Sequence, residues 1–439
     1  MGIKIAVIGG ASSYTPELFA NLAEEYKQLE VDQVSLMDLN TEKLTLIAEV
    51  CEKLVQNSDM SIRVITTQRY EQALAGADFV ILQVRIGGLE ARVRDETLPT
   101  QFGMVGNETT GAGGFVCALR TIPVVLDIAR EIEKIAPEAW LLNLSNPAGI
   151  VTEALLKHSQ VRSLGFCNIP INTTYALAEV LEVDPEDIQL DSFGLNHLSW
   201  TRGVYLNGKE LLQPLFEEVK NLDASLYQCG LVEPLINPIW LRTLRMIPGW
   251  YLRYFYCTDE VLEEDRKSQR TKGADDMLAE QRLHEIYSNV GYNQEARSIL
   301  ESKGGAQYYL PVLNVIDSMV HDRGGVVVVD TRNGETLPDL PPEACVEVPA
   351  RVGRAKVEPL PSGRMPLTVR GLVQAVKTYE ELTVEAALSG DQGTAIAALM
   401  ANPLVSSNNK AKEFLGQVLE NERAYLPQFF KGAPDQLEL

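Results

Sequence analysis

The chain has 439 residues, of which 45% are hydrophobic and 23% charged, and it is long enough for two or three domains. Its 60 Asp and Glu residues outnumber its 39 Lys and Arg residues, which gives a formal net charge of -21 at pH 7. Because this excess of negative charge repels phosphate groups, the composition argues against nucleic acid or an anionic membrane surface as a partner.

The first half of the chain alternates short apolar strands with helices. A strand at residues 3–8 leads into a turn, and a helix begins near Thr15 and Pro16, with Thr15 as its cap. A further helix is predicted at residues 121–135, and further strands at residues 34–38, 79–82, 140–144 and 163–166. Strands separated by helices predict an α/β fold with a parallel, doubly wound, Rossmann-like sheet.

The pattern changes after about Trp200, where helical stretches dominate. Helices are predicted at residues 262–291, 311–320, 369–389 and 394–400, with a β-rich insert at residues 326–329 and 345–348. We therefore predict two domains, a Rossmann-like domain at residues 1–195 and a mainly helical α+β substrate and catalytic domain at residues 196–439.

The turn after the first strand predicts a dinucleotide site. A helix that starts beyond a Gly-rich turn offers free N–H groups and a dipole to a pyrophosphate. The turn departs from the GxGxxG pattern at Ala11 and Tyr14, so an incidental Gly-Gly turn is the alternative. Asp38 ends the second strand, where a carboxylate accepts ribose hydroxyls and repels a 2′-phosphate. These features favour NAD over NADP, bound by Gly9, Gly10, Ser12, Ser13 and Asp38.

Three more residues are of the types that carry chemistry. Cys167 follows a predicted strand, and His197 comes thirty residues later; a thiolate and an imidazole both bind divalent first-row metals. The alternative for each is an ordinary buried residue. Tyr251 lies in an aromatic stretch that is either core or a general base, in which case Arg253 would stabilise its phenolate.

Several segments resemble glycoside hydrolase family 4, and they run in family order from the first strand to about residue 405. They are Gly9 to Leu18, Arg85 to Arg92 with Asp95-Glu96, Asn107 to Gly111, Ser145 to Gly149, the Cys167, His197 and Tyr251 segments, and Ala401 to Val405.

The resemblance implies NAD-dependent cleavage rather than hydrolysis by two carboxylates. In this mechanism NAD takes hydride from sugar carbon 3, a base removes the proton on carbon 2, the aglycone is eliminated, water adds, and the hydride returns. Tyr251 matches the base, and Cys167 and His197 match ligands of a metal, expected to be Mn²⁺ although cobalt, nickel or iron also suit such ligands. Arg92, Asn146 and Asn168 match residues that line the sugar site.

The Cys167-Asn168 pair resembles the form typical of 6-phospho-β-glucosidases in this family, so we expect a 6-phospho-β-glucoside as substrate. Asn168 cannot donate a proton, which leaves the acid for the leaving group unassigned. Lys303 stands where the family usually has a phosphate-binding Arg, and Tyr309 replaces a small Ser. An unphosphorylated or α-linked glycoside, or a uronide, is therefore the alternative substrate.

Two other classes of protein share some of these features. A net NAD-dependent dehydrogenase of the malate or lactate type would need a His base, yet none of the four His residues has a suitable signature. A non-catalytic NAD-binding sensor would need neither the Cys–His metal pair nor the paired Arg residues, so the full set of motifs counts against it.

The remaining features predict a cytoplasmic enzyme. Six scattered cysteines form no CxxC pair, which is typical of a reduced compartment. We expect no secretory signal and no apolar run near the roughly 18 residues that span a bilayer. The family resemblance implies a homodimer or homotetramer.

Overall fold

The computed structural model describes residues 2–218, 226–227, 230–305 and 307–430. Nine strands form a main sheet in the order β13-β12-β11-β6-β5-β4-β1-β2-β3, and the other four form a smaller sheet. The strands are β1 (Ile3–Ile8), β2 (Val31–Met37), β3 (Arg63–Thr67), β4 (Phe79–Leu82), β5 (Trp140–Asn143), β6 (Arg162–Gly165), β7 (Ile188–Leu195), β8 (Leu198–Leu206), β9 (Lys209–Glu210), β10 (Ile247–Pro248), β11 (Gly325–Arg332), β12 (Cys345–Val352) and β13 (Val357–Pro359).

The parallel, doubly wound sheet predicted from the first half is confirmed. Strands β1 to β6 pair in parallel. Successive side chains of β1 alternate between the hydrophobic cores on the two faces of the sheet. Ala6 and Ile8 pack on one face, whereas Ile5 and Val7 pack on the other. Such a sheet is buried on both faces because its crossover helices cover it from each side.

The β-rich segment after residue 325 continues the main sheet and is not a separate insert. Strand β11 pairs antiparallel with β12 along its length and meets β6 at Asp330 and Gly165. Strand β13 completes this edge beside β12. The second half of the chain therefore contributes three strands to the sheet of the first half.

The helices that cover the sheets are α1 (Thr15–Glu24), α2 (Thr41–Gln56), α3 (Tyr70–Leu74), α4 (Gly88–Gln101), α5 (Gly111–Ile135), α6 (Ala148–His158), α7 (Asn168–Leu181), α8 (Leu212–Glu218), α9 (Pro238–Leu244), α10 (Arg253–Tyr256), α11 (Thr258–Lys267), α12 (Lys272–Asn289), α13 (Gln294–Leu300), α14 (Leu310–His321), α15 (Leu367–Ser389), α16 (Gln392–Ala401) and α17 (Asn408–Asn421).

Three helix predictions need correction. The helix predicted at residues 121–135 begins ten residues earlier, at Gly111, because its glycine-rich first turn gives little helix signal in the sequence. Thr15 is the first residue of α1 and does not cap it; its hydroxyl accepts a hydrogen bond from Gln83 at 3.0 Å. The single helix predicted at residues 262–291 is two helices, α11 and α12. Thr271 starts the second, because its hydroxyl accepts the N–H of Ala274 and caps the new N-terminus.

Helix α5 is long and apolar enough by composition to cross a membrane, so the expectation that no such stretch exists was wrong. Its most apolar window is 83% buried inside the protein. Phe115, Leu119 and Ile122 are among the side chains that it packs into the core on one face of the main sheet. Burial inside the fold thus accounts for its composition.

The smaller sheet carries the turn that holds His197, a candidate metal ligand from the sequence. Strands β7 and β8 form an antiparallel hairpin in which Leu195 pairs with Leu198, and β9 and β10 flank β8. Asn196 and His197 form the turn, and His197 adopts a positive φ of 62°. The rings of Phe193 and Trp200 stack 6.0 Å apart beneath it and anchor the hairpin in the core. The predicted division at residues 195 and 196 falls within this turn.

Gly194→Ala tests how far the hairpin depends on its backbone. Gly194 has a φ of 142°, and a Cβ there would collide with the carbonyl of Leu198. We expect the substitution to lower the free energy of unfolding by about 1–3 kcal/mol, measured by urea denaturation. Gly371→Ala, in open space on α15, is the matched control and should not destabilise the protein. Equal stability of the two variants would contradict the account.

Candidate active site

A large cleft of about 1720 Å³ opens at the carboxyl ends of β1, β4, β5 and β6. Open α/β sheets bind ligands at this edge, and the volume exceeds that of an ordinary site for one small molecule. All the predicted site residues except Gly10 line the cleft: Gly9, Ser12, Ser13, Asp38, Arg92, Asn146, Cys167, Asn168, His197, Tyr251 and Lys303.

The turn after β1 has the form of a dinucleotide cradle. Gly9 has a φ of 92°, and a Cβ there would lie 2.6 Å from the carbonyl oxygen of Gln83. Gly10 packs instead against Leu36 of β2, away from the cleft wall. Ser12 and Ser13 face the cleft before α1 begins. Gly9 thus allows the backbone to turn, and Gly10 allows it to pack closely against β2. A turn of this shape before a helix N-terminus fits a bound pyrophosphate.

Asp38 lies at the end of β2, where the sequence places a ribose-binding carboxylate. Its Oδ2 accepts the N–H of Ala11 at 3.1 Å, and its Oδ1 accepts the N–H of Asn40 at 2.9 Å. These bonds fix the carboxylate on the cleft wall beside the Gly turn. The residues present therefore fit NAD and place a negative charge where NADP would carry a phosphate.

The sequence suggested that Tyr309, in place of a small Ser, marks a changed substrate pocket. The structure contradicts this expectation. Tyr309 is fully buried, and its hydroxyl donates to Gln83, whose amide in turn donates to the Gly9 carbonyl at 3.1 Å. Tyr309 thus braces the cofactor turn from behind. Its neighbour Tyr308 lines the cleft and stacks on Tyr14 with ring centroids 4.7 Å apart.

The candidate metal ligands and the candidate base come from three separate elements. Cys167 is the N-cap of α7, and its sulfur accepts the N–H of Ile169 at 3.5 Å. His197 lies in the hairpin turn, and the ring of Tyr251 stacks on it with centroids 3.9 Å apart and an interplanar angle of 8°. In the described ranges no three His, Cys, Asp or Glu side chains cluster as a metal site. A metal held by Cys167 and His197 would thus keep positions for sugar oxygens and water.

Burial favours the neutral form of each of these three groups. It lowers the pKa of His197 to about 4, so its imidazole keeps a lone pair for a metal at neutral pH. Burial also raises the pKa of the Cys167 thiol and of the Tyr251 phenol well above their ordinary values. A divalent cation held by Cys167 and His197 would offset this cost, because a cation stabilises both a thiolate and a phenolate.

Arg253 does not stabilise Tyr251, in contrast to the expectation from the sequence. Its guanidinium pairs with Glu233 at 3.0 Å and also with Glu264. Burial is the largest cause that raises the pKa of Tyr251, and Tyr254, Cys167 and Glu108 raise it further. Arg92 is the cation that lowers this pKa, by a smaller amount.

The predicted sugar-binding residues line the same cleft. Asn146 follows β5, and Asn168 donates to the carbonyl of Gly304 at 2.6 Å, next to Lys303. The ammonium of Lys303 lies 3.5 Å from the hydroxyl of Ser13 and 5.2 Å from the centroid of the Tyr14 ring. Asn168, Lys303 and Ser13 thus form one connected wall of the cleft.

Arg92 lies in an ion-pair cluster that sequence reasoning missed. It contacts Glu96 at 2.8 Å, Asp276 at 2.7 Å and Glu108 at 3.1 Å. Arg85 also pairs with Glu108. The segments Arg85 to Arg92 and Asn107 to Gly111 were recognised as characteristic of the family. Their spacing along the chain could not show that their charged side chains form ion pairs with each other.

Glu347 on β12 is another residue that the sequence did not single out. Its buried carboxylate accepts the amide of Asn196 at 3.0 Å and the hydroxyl of Ser199 at 2.7 Å. These donors flank His197 in the chain, so Glu347 holds the hairpin turn to the main sheet. Groups that orient a metal ligand in this way contribute strongly to metal affinity.

Glu347→Gln should weaken Mn²⁺ binding about 10- to 100-fold, because the amide can no longer accept from both Asn196 and Ser199. Titration of free Mn²⁺ by electron paramagnetic resonance measures this affinity without any turnover. Glu358→Gln is the control, since Glu358 is exposed on β13, where it pairs with Lys356. Wild-type Mn²⁺ affinity in Glu347→Gln would refute the role of Glu347.

Comparison with known proteins identifies the family. The family 4 glycosyl hydrolase model matches residues 4–183, and the model of the C-terminal domain of that family matches residues 192–405. A probable 6-phospho-β-glucosidase of Bacillus subtilis (strain 168) is 37% identical, with 98% of each chain covered. The 6-phospho-β-glucosidase of Thermotoga maritima with NAD and glucose-6-phosphate superimposes with a TM-score of 0.89 at 32% identity, covering 97% of this chain and 99% of the other. A second structure of that enzyme, with manganese, NAD⁺ and glucose-6-phosphate, gives a TM-score of 0.87 at 32% identity, covering 96% and 99%. The chain therefore belongs to family 4 of the glycosyl hydrolases.

Proposed function

We propose that this chain hydrolyses 6-phospho-β-glucosides with NAD and a divalent metal, expected to be Mn²⁺. The observation that carries the proposal is the convergence of Cys167, His197 and Tyr251 beside a dinucleotide cradle in one cleft. The relatives and solved structures named above support the substrate class and both cofactors.

The chemistry explains why one cleft holds all of these groups. When bound, NAD and the metal supply a hydride acceptor for carbon 3 and polarisation of the oxygens on carbons 2 and 3. A proton next to a ketone is acidic enough for a tyrosinate, whereas a proton next to an alcohol is not. Tyr251 then removes the proton of carbon 2. Cys167 and His197 hold the metal, and Arg92, Asn146 and Asn168 bind the sugar hydroxyls.

Lys303 is the proposed phosphate ligand. It lies beside Ser13 on the wall that Asn168 completes, and burial lowers the pKa of its ammonium, which an anionic group would oppose. Lys303 keeps the positive charge of the Arg that the family usually has at this position. Its ammonium cannot bind a phosphate through two parallel hydrogen bonds, as a guanidinium does. An unphosphorylated or α-linked glycoside, or a uronide, remains the second candidate because of this replacement.

The organisation of the enzyme is also a proposal. The match of separate family models supports a functional division near residue 195 into an NAD-binding and a catalytic part. We further propose a cytoplasmic location and a homodimer or homotetramer. Cys51, Cys117, Cys257 and Cys345 are free and buried, as in a reduced protein, while Cys229 lies outside the described residues.

Release of nitrophenol from its 6-phospho-β-glucoside tests the proposed function. We expect turnover only when NAD and Mn²⁺ are both present, without net accumulation of NADH. Tyr251→Phe should lose most of this turnover while NAD binding is retained. Stoichiometric NADH would instead indicate a dehydrogenase, and cleavage of only the unphosphorylated or α-linked analogue would indicate the second candidate.

Lys303→Met should raise the KM for the phosphorylated substrate about 10- to 100-fold, because it removes one charge-assisted hydrogen bond. Lys303→Arg is the matched control, which keeps the charge and should stay close to the wild type. Steady-state kinetics with both variants measures the effect. An unchanged KM in Lys303→Met would show that the phosphate binds elsewhere.

A further inference from the structure

A second tyrosine faces the cleft beside the candidate base. The ring of Tyr254 lies 5.8 Å from the ring of Tyr251, centroid to centroid, and both side chains line the cleft. The two residues are three positions apart, with Tyr251 in a 3₁₀ turn (Trp250–Leu252) and Tyr254 in the helix α10 that follows it. Nothing in the proposed reaction has yet used Tyr254, and the acid for the leaving group is still unassigned.

The hydrogen bonds of Asn107 orient the hydroxyl of Tyr254. Asn107 Oδ1 accepts the N–H of Thr109 at 2.9 Å, the N–H of Thr110 at 3.0 Å and the hydroxyl of Thr109 at 2.9 Å. Because backbone N–H groups only donate, this pattern fixes the amide, and its Nδ2 faces the Tyr254 hydroxyl at 2.9 Å. Tyr254 therefore accepts from Asn107, and its own proton is directed to a different acceptor.

The stereochemistry of a β-glucoside favours a proton donor near the base. In the chair form, the hydrogen on carbon 2 and the glycosidic oxygen on carbon 1 lie on the same face of the ring. A base that removes this hydrogen and an acid that protonates this oxygen must then approach from one side. Tyr251 and Tyr254 are neighbours on one wall of the cleft and meet this requirement.

We propose that Tyr254 is a catalytic residue that donates its proton to the departing aglycone oxygen, an inference that rests on the proposed function. After Tyr251 takes the proton of carbon 2, that electron pair forms the double bond between carbons 1 and 2. The bond from carbon 1 to the aglycone breaks with its electrons on oxygen, which receives the proton of Tyr254. When water adds to carbon 1, it returns a proton to Tyr254, and Tyr251 returns one to carbon 2.

The local electrostatics agree with this role. Burial is the main cause that raises the pKa of Tyr254 to about 12, so the phenol keeps its proton at neutral pH. Glu108 is a poor donor by comparison. Burial raises its pKa, but Arg85 and Arg92 together hold it below the ordinary value, so it remains a carboxylate.

Tyr254→Phe tests the inference through a series of 6-phospho-β-glucosides whose leaving groups range from dinitrophenol to methanol, each with NAD and Mn²⁺. A dinitrophenolate leaves without a proton, so its kcat should stay near that of the wild type. The methyl glycoside needs the acid, and its kcat should fall at least about 100-fold. Unchanged NAD affinity and thermal midpoint would show that the variant is folded.

Tyr256→Phe is the matched control, because Tyr256 packs edge-on against Trp240 and does not line the cleft. It should keep the wild-type dependence on the leaving group. A uniform loss across the series in Tyr254→Phe, or no loss, would overturn the assignment. Failure of the wild type to cleave any member of the series would contradict the proposed function itself.

Discussion

The buried carboxylate of Glu347 joins the two sheets of this protein at the point on which its active site depends. It lies on β12 of the main sheet, yet it accepts hydrogen bonds from Asn196 and Ser199 in the hairpin of the smaller sheet. In the same hairpin, the carbonyl of Ser199 accepts the N–H of Gly249 at 2.9 Å. Gly249 lies two residues before Tyr251, so this bond also fixes the Tyr251 segment to the hairpin. The positions of His197 and Tyr251 relative to Cys167 thus follow from one junction.

Burial shapes the chemistry of the cleft as strongly as geometry does. His197, Cys167 and Tyr251 all favour their neutral forms, so the protein alone gives neither a thiolate nor a tyrosinate. The positive charge of Arg92 is largely matched by Glu96, Glu108 and Asp276. A bound cation would supply the missing charge, which explains physically why the base and the metal ligands share one site.

The sequence predicted the elements whose signals are local. The bounds of β1 and β4 were predicted to the residue, because each is a short apolar run with a turn after it. β3 was missed, since its sequence Arg-Val-Ile-Thr-Thr forms no apolar run and four of its five side chains are exposed or half-buried. The attachment of β11 to β6 could not be predicted, because it depends on contacts between segments far apart in the chain.

The residues of the candidate site divide in the same way, into those with a local sequence signal and those that depend on distant contacts. Residues within characteristic segments, such as Cys167, His197 and Tyr251, were found by their motifs and lie in one cleft. Side-chain direction was not predictable: Arg253 pairs with glutamates, and Tyr309 supports the cofactor turn from the core. The roles of Glu347 and Tyr254 became visible only through partners that lie far away in the sequence, Asn196 and Asn107.

Hydrolysis of a 6-phospho-β-glucoside in D₂O shows whether turnover removes the proton of carbon 2, the step that we assign to Tyr251. Nuclear magnetic resonance of the released sugar phosphate reports the isotope at each carbon. We expect deuterium at carbon 2 and retained hydrogen at carbon 3. Complete cleavage with ordinary hydrogen retained at carbon 2 would contradict it.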